Sequence, residues 1–241
     1  VVGDAQGSFF GNFCFSEGDT KITTGTGFNI QTNIGKKFIT DENSFTSLAY
    51  TKADENYYSL ECLSSFAGAT ISWLKNNLKL IKNPNESELL SNQVVGSEGV
   101  YLIPAFTGLG PPYWIANARA SFLGINASTN KNHLVRAGLE SVAFQMIVYL
   151  EFLQKSNNIN LQKISIDGGM VKNNLFLQMI ADLLQTEVKV PLMEEMSSYG
   201  SLLFGLQYIQ GIDNLNYLNQ FKVDNTSYYP NENKNIKNSF E

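Results

Sequence analysis

The chain reads as an α/β domain with a central mixed sheet flanked by helices, and three observations carry that reading. Strand and helix patterns alternate through the second half: Lys163-Ile164-Ser165-Ile166, then a helix through Phe176, Ile180 and Leu183, then Glu187-Val188-Lys189-Val190 ended by Pro191. That alternation is the pattern of βαβ units whose sheet is covered on both faces. A hairpin is predicted from Thr20-Lys21-Ile22-Thr23 and Phe28-Asn29-Ile30-Gln31 about the turn Thr24-Gly25-Thr26-Gly27. The longest helical pattern, Asn132 to Leu153, is apolar almost all round through Leu134, Ala137, Val142, Phe144, Ile147 and Leu150, as a helix buried between layers must be.

Taken in order, Phe9, Phe10 and Phe13 form a stripe at helical spacing over residues 5–15, preceded by an apolar strand from Val1. Tyr57 to Cys62 reads as a strand, and Ser64 to Leu78 as a helix with Ala67, Ile71, Leu74 and Leu78 on one face. Asn83 to Gly99 is polar and turn-rich, a surface connection or short exposed helix. The apolar run Val100 to Ile103 predicts a buried strand ended by Pro104, followed by the stiff, shaped loop Thr107 to Trp114. A last helix over Ser197 to Gln210 carries Gly200 and Gly205, where another element can approach closely, and the tail from Asn214 is peripheral. With no internal repeat and no low-complexity linker, residues 1–241 are expected to form a single domain.

Composition narrows the function classes. A length of 241 residues allows a sizeable core, and 43% hydrophobic with 16% charged residues describes an ordinary soluble globular chain. A net charge of −5 argues against a nucleic-acid binder, which needs excess Lys and Arg, but not against a small anion held by backbone N–H groups. The two cysteines, Cys14 and Cys62, lie in apolar segments and are expected as buried free thiols in a reducing, cytoplasmic compartment. His133 is the only histidine, which disfavours a His-based triad or a zinc site. No apolar run is long enough to span a bilayer. The opening Val1-Val2-Gly3-Asp4, without Met or a polar lead-in, reads as the middle of a longer polypeptide.

The candidate chemistry lies at glycine turns. Asp167-Gly168-Gly169 sits where the strand at 163–166 gives way to a helix near Asn173-Asn174. A Gly pair there lets the backbone approach a ligand, and the helix N-terminus beyond it offers free N–H groups. The Thr24 to Gly27 turn can cradle an anion through backbone and hydroxyl groups, or simply be a hairpin that tolerates positive φ. Asp4, at the start of a helix, can take a proton from an attacking hydroxyl or merely cap that helix. Glu61 and Glu140 are carboxylates in apolar context with no assigned catalytic role. Neither a P-loop nor a G-x-G-x-x-G run is present, so a phosphate binder must here use scattered glycine turns.

The order of motifs is more specific than any one of them. Gly3-Asp4, Thr24-Gly25-Thr26-Gly27, Phe66-Ala67-Gly68-Ala69, Pro104 to Gly110 with Pro112-Tyr113-Trp114 and Ala118-Arg119, Arg136 to Ser141, and Asp167-Gly168-Gly169 together resemble the C-terminal half of FGGY carbohydrate kinases of the glycerol kinase type. The resemblance covers the chain to about residue 211 and implies an RNase H-like, actin-like ATPase domain. It implies Asp4 as catalytic base, Thr26 with Gly27 at the ATP phosphates, Gly68 beside the nucleotide, and Gly169 with Asn173 at the adenosine part. It further implies ATP with Mg2+ as cofactors, transfer of the γ-phosphate to a primary hydroxyl of a small polyol or sugar, and possible homo-oligomers; no metal-binding residue is assigned.

The chain departs from the family pattern at three positions. Ala5 stands where a glycerol-touching Gln is usual, Asn29 where an aromatic packs on glycerol's carbons, and Ser72 where a nucleotide-contacting Gln is usual. The resemblance also implies an N-terminal lobe that is not in this chain, without which the chain is expected to be inactive. The departures leave a second reading open, a non-catalytic nucleotide-binding or regulatory module. A third, an actin-like ATPase or sugar sensor, is disfavoured by the Pro104 to Trp114 loop.

Overall fold

A computed structural model of the protein describes residues 2–52, 54–211, 215–232 and 234–240, the side chains of Ser156 and Lys234 excepted. The hairpin forms as expected: β1 (Thr20–Thr24) pairs antiparallel with β2 (Phe28–Asn33). Next come β3 (Phe45–Lys52) and β4 (Glu55–Ser64), where β4 pairs antiparallel with both β2 and β3. β7 (Ile164–Gly168) runs parallel to β1, and β8 (Val188–Pro191) runs parallel to β7. β9 (Asn225–Tyr228) pairs antiparallel with β8 and closes a seven-stranded mixed sheet of order β3-β4-β2-β1-β7-β8-β9. The tail beyond 214 is therefore at the edge, as expected, yet it supplies a strand of the main sheet; Asn214 itself lies outside the described residues.

Strand periodicity of two divides this sheet into an apolar and a polar face. Ile22, Ile30, Leu60, Cys62, Ile164 and Ile166 are all buried in one cluster with Val135, Leu139, Val142, Met146, Leu150 and Leu153 of the long helix α4 (Lys131–Ser156). Each such side chain contributes about 1.5–3 kcal/mol on burial. α2 (Gly68–Asn76) and α5 (Asn174–Leu184) pack against α4 on this face, as does the short α3 (Glu86–Ser91). The opposite face carries Lys21, Gln31, Glu61, Ser165 and Asp167, all buried.

α1 (Asp4–Gly11) and α6 (Met196–Gln210) cover that polar side and pack on each other. Their backbones touch: a Cβ on Gly200 would lie 1.8 Å from the Gly7 carbonyl oxygen, whereas one on Gly205 meets nothing within 4 Å among the described residues. The close approach expected at both glycines is thus confined to Gly200. Phe9 and Phe10 are fully buried, but the helix stops at Gly11 and Phe13 turns back with φ 55°, so the aromatic stripe is helical only in its first half. Val2 and Gly3 lead straight into α1 rather than forming a strand, and Val1 lies outside the described residues.

Two other boundaries shift for physical reasons. Residues 59–64 remain paired to β2, so the helix expected from Ser64 begins only at Gly68, and Leu78 falls beyond its end, 39% exposed. The apolar run at 100–103 becomes β5 (Tyr101–Ile103), which pairs with β6 (Ser121–Leu123) in a separate ribbon against α4. His133 has a structural task. Its Nδ1 accepts from the Asn130 N–H at 3.1 Å, and the Asn130 side chain accepts from the Asn132 N–H at 2.9 Å, which together cap α4. Cys14 and Cys62 are buried free thiols, and burial pushes both up to about 12.

Candidate active site

The parallel pairing of β1 and β7 brings the two glycine turns together at the carboxyl ends of the strands. Thr24 is in register with Gly168, and the Thr24 hydroxyl donates to the Asp167 carbonyl at 2.8 Å. Gly168 has φ 94°, and a Cβ there would lie 2.4 Å from the Thr24 oxygen, so only glycine fits. Beyond it, Gly169–Lys172 forms a single 3₁₀ turn that leads into α5. Open α/β sheets bind ligands at such carboxyl ends.

A cleft of about 480 Å³ opens on the apolar side of these turns, between α2, α3 and the start of α5. Thr26, Gly68, Gly169 and Asn173 line it, as does Ser72. Their parts differ. Gly25 and Gly169 leave free space around the backbone, so a ligand can come close. Gly68 is needed for packing: its N–H donates to the Gly25 carbonyl at 3.0 Å, and the Ala67 and Ala69 N–H groups both donate to the Thr26 carbonyl at 2.9 Å. The first donors of α2 thus hold the turn in place instead of facing the cleft. Gly27 stands behind the cleft wall, where a Cβ would lie 1.9 Å from the Ser64 carbonyl oxygen. Asn173 caps α5, its Oδ1 accepting from the Phe176 N–H at 2.9 Å, while its Nδ2 reaches Ser87 Oγ at 3.3 Å.

Asp4 is on the other side of the sheet. It is the first residue of α1, exposed, with Gly3 in the cap position and its Oδ1 accepting from the Ala5 N–H at 2.8 Å. The direction of α1 places it. Asn12 accepts at its carbonyl from Lys163, which precedes β7; Ser8 and Asn12 donate to Asp167 Oδ2 at 2.7 and 2.9 Å; and Ser8 Oγ lies 3.4 Å from Thr23 Oγ1. The helix therefore runs antiparallel to β1 and β7. Asp4, on the Ser8 and Asn12 face, comes about 6 Å beyond Ser8, at the strand ends where the glycine turns lie.

Below Asp4, the polar face holds a buried charge network that the sequence did not disclose. Lys21, 1% exposed, donates to Asn29 Oδ1 at 3.0 Å, and Asn29 Nδ2 lies 3.4 Å from Glu61 Oε2. Gln31 Nε2 donates to Glu61 Oε1 at 2.8 Å, and Ser47 donates to the same oxygen. Burial lowers the Lys21 ammonium from its ordinary value, against the opposing pull of Asp167, Cys14, Glu61 and Asp4. Asn29 is thereby occupied on both amide atoms. Glu140, the other carboxylate in apolar context, pairs with Arg136 at 2.6 Å inside α4. Among the described residues no group of three His, Cys, Asp or Glu is placed to hold a metal ion.

The comparison with known proteins agrees with this geometry. A family model described as the FGGY family of carbohydrate kinases, C-terminal domain, matches residues 20–207. The chain belongs to this family. Among curated FGGY relatives, glycerol kinase of Brevibacillus brevis is 41% identical over 202 residues, covering 83% of this chain and 40% of the relative. Glycerol kinase of Salmonella arizonae is 40% identical over 219 residues, covering 89% of this chain and 44% of the relative. The crystal structure of Plasmodium falciparum glycerol kinase with ADP superposes with a TM-score of 0.88 at 32% identity, over 99% of this chain and 48% of that one. Xylulose kinase from Lactobacillus acidophilus shares the fold at a TM-score of 0.85 and 22% identity, over 97% of this chain and 48% of that one. This FGGY chain thus spans less than half the length of these relatives. No helix among its described residues is long and apolar enough to cross a membrane.

Proposed function

We propose that the chain is the nucleotide-binding half of an ATP-dependent FGGY kinase that moves the γ-phosphate of ATP to a primary hydroxyl of glycerol or a related polyol or sugar. The observation that carries this is the contact of the two glycine turns at the ends of β1 and β7, with the cleft on one side and Asp4 on the other. A nucleoside held along Gly169 and Asn173 in the cleft extends its phosphates past Thr26, across the strand ends, toward the α1 side. Asp4 then takes the proton of the acceptor hydroxyl as it attacks, the role a carboxylate holds in phosphoryl transfer.

Mg2+ fits a site of this kind as a one-carboxylate ligand set. Such ions are held by one or two carboxylates plus the phosphates themselves, and Asp4 is an exposed carboxylate at the right edge. The ion would neutralise charge on the phosphates. The remaining acceptor contacts are assigned to an N-terminal half, consistent with glycerol kinase relatives more than twice as long as this chain.

A specific observation favours a second reading, a nucleotide-binding module without transfer. Asn29 has both amide atoms engaged by Lys21 and Glu61, and Ala5 has no polar side chain, so two positions expected to meet the acceptor offer it little. The test is calorimetric titration of this chain with ADP, followed by ATP consumption with a polyol and sugar panel once an N-terminal half is supplied. ADP binding with acceptor-dependent turnover supports the kinase; ADP binding with no turnover on any acceptor supports the module; absence of ADP binding removes both.

A further inference from the structure

We infer that Glu88 reads the ribose of the bound nucleotide, accepting hydrogen bonds from its hydroxyls; this rests on the nucleotide reading of the cleft. Among the described residues Glu88 is the sole acidic one lining the cleft, and it is half-buried. A carboxylate beside a polyphosphate is unfavourable unless it faces donors. Its Oε2 accepts from the Asn174 N–H at 3.3 Å, the first residue of α5, which fixes the side chain against the cleft wall. Among the described residues nothing donates to its Oε1.

The position along the cleft is set by the chain itself. Phosphate belongs at the Thr24 to Gly27 turn, which Gly169 adjoins at the near end of the adenosine segment, and Asn174 follows one 3₁₀ turn later, about 10 Å along at roughly 2 Å per residue. Glu88 therefore stands at the nucleoside end. Between base and sugar, the chemistry of the donors decides. The adenine amine is flanked by ring-nitrogen acceptors that repel a carboxylate and suit an amide instead, and Asn76 and Asn77 offer amides in the same cleft. The hydroxyls of a vicinal diol can each turn an O–H toward a carboxylate, and an acidic side chain on ribose hydroxyls is a recurrent arrangement in nucleotide sites.

The experiment is titration of the chain with ADP, 2′-deoxy-ADP, 3′-deoxy-ADP and inosine diphosphate, repeated for Glu88→Ala and Glu88→Gln. A hydrogen bond to a charged acceptor predicts that removing the hydroxyl it uses weakens wild-type binding about tenfold or more. Glu88→Ala should weaken ADP by a similar factor and erase the preference for the ribose form; Glu88→Gln, which keeps an acceptor for the Asn174 N–H, should retain part of it. The inference is overturned by equal loss of ADP and deoxy-ADP in Glu88→Ala, by a wild-type chain indifferent to both deoxy forms, or by discrimination that the variants lose only against inosine diphosphate. If ADP itself does not bind the wild-type chain, the nucleotide reading fails and takes the ribose assignment with it.

Discussion

Replacing Gly168 by Ala tests whether the contact of the two turns is what holds the site. The Cβ would sit 2.4, 2.8 and 2.9 Å from the oxygen, carbonyl carbon and nitrogen of Thr24, all backbone atoms that cannot rotate away. Strain of a side chain at φ 94° with ψ −171° adds about 1–3 kcal/mol. Crowding in a packed region adds about 1–3 kcal/mol more. The sum, roughly 2–6 kcal/mol, is a large part of the 5–15 kcal/mol typical of a folded chain and corresponds to a fall in Tm of roughly 5–20 °C. Relief would come by pushing Thr24 away, which opens the Thr26 turn as well, so ADP affinity should fall in variants that still fold. Gly25→Ala is the control: it lines the same cleft but meets nothing within 4 Å, and its stability should stay within about 0.5 kcal/mol of wild type. Urea unfolding followed by circular dichroism measures both. A Gly168→Ala protein as stable as Gly25→Ala would refute the claim that the turns touch.

Gly200→Ala drives a Cβ to 1.8 Å from the Gly7 oxygen and should destabilise by about 3 kcal/mol or more, whereas Gly205→Ala, in open space on the same helix, should gain about 0.5–1 kcal/mol; thermal melts of the pair decide it. Asp4→Asn should leave the melting temperature unchanged, since Asp4 is exposed, while turnover by the two-half enzyme falls about 10²-fold or more with ADP affinity intact; unchanged turnover would remove Asp4 from the chemistry. Burial holds the Cys14 and Cys62 thiols at about 12 against 9.0 when unfolded, so the unfolded chain releases protons that the folded one keeps. Their contribution is therefore whole below pH 9 and lost progressively as pH rises through about 12. Urea midpoints should fall between pH 8.5 and 10.5, less steeply in Cys14→Ala, and both thiols should resist a thiol reagent until the chain unfolds.

The elements that were legible in the sequence are those whose residues dictate local structure by themselves. The hairpin at 20–33, β7, α4 and α5 follow from periodicity and turn chemistry, and each appears within a few residues of expectation. β3 and β9 were not read because tertiary pairing, not propensity, makes them strands. β3 is an edge strand with Phe45 and Leu48 about half exposed and a register shift between Leu48 and Tyr50, which breaks the alternation a reader would look for. β9 is Asn-Thr-Ser-Tyr, a polar segment that becomes a strand only by adding to the free edge of β8.

The site shows the same division more sharply. Glycine turns could be found because a backbone needing close approach excludes other residues, and the turns at Thr24 and Gly168 do meet at the carboxyl ends of β1 and β7. What each group still has to offer a ligand was not legible, because that depends on which partners reach it through the fold. The N–H of Gly68 goes to Gly25, the Oδ1 of Asn173 goes to Phe176, and both amide atoms of Asn29 are engaged by Lys21 and Glu61. Conversely, the segment from Asn83 to Gly99 reads as a surface connection or short exposed helix, and it does hold the short helix α3, yet Ser87 and Glu88 touch the start of α5 across 86 residues of chain and supply the third wall of the cleft. The same logic accounts for Asp4. Only the antiparallel course of α1, fixed by Ser8 and Asn12 on Asp167, carries the carboxylate to the end of the sheet where phosphates would cross. A helix of the same sequence docked in the opposite sense would leave it at the far edge, about 15–20 Å from the glycine turns by the rise of five strand residues.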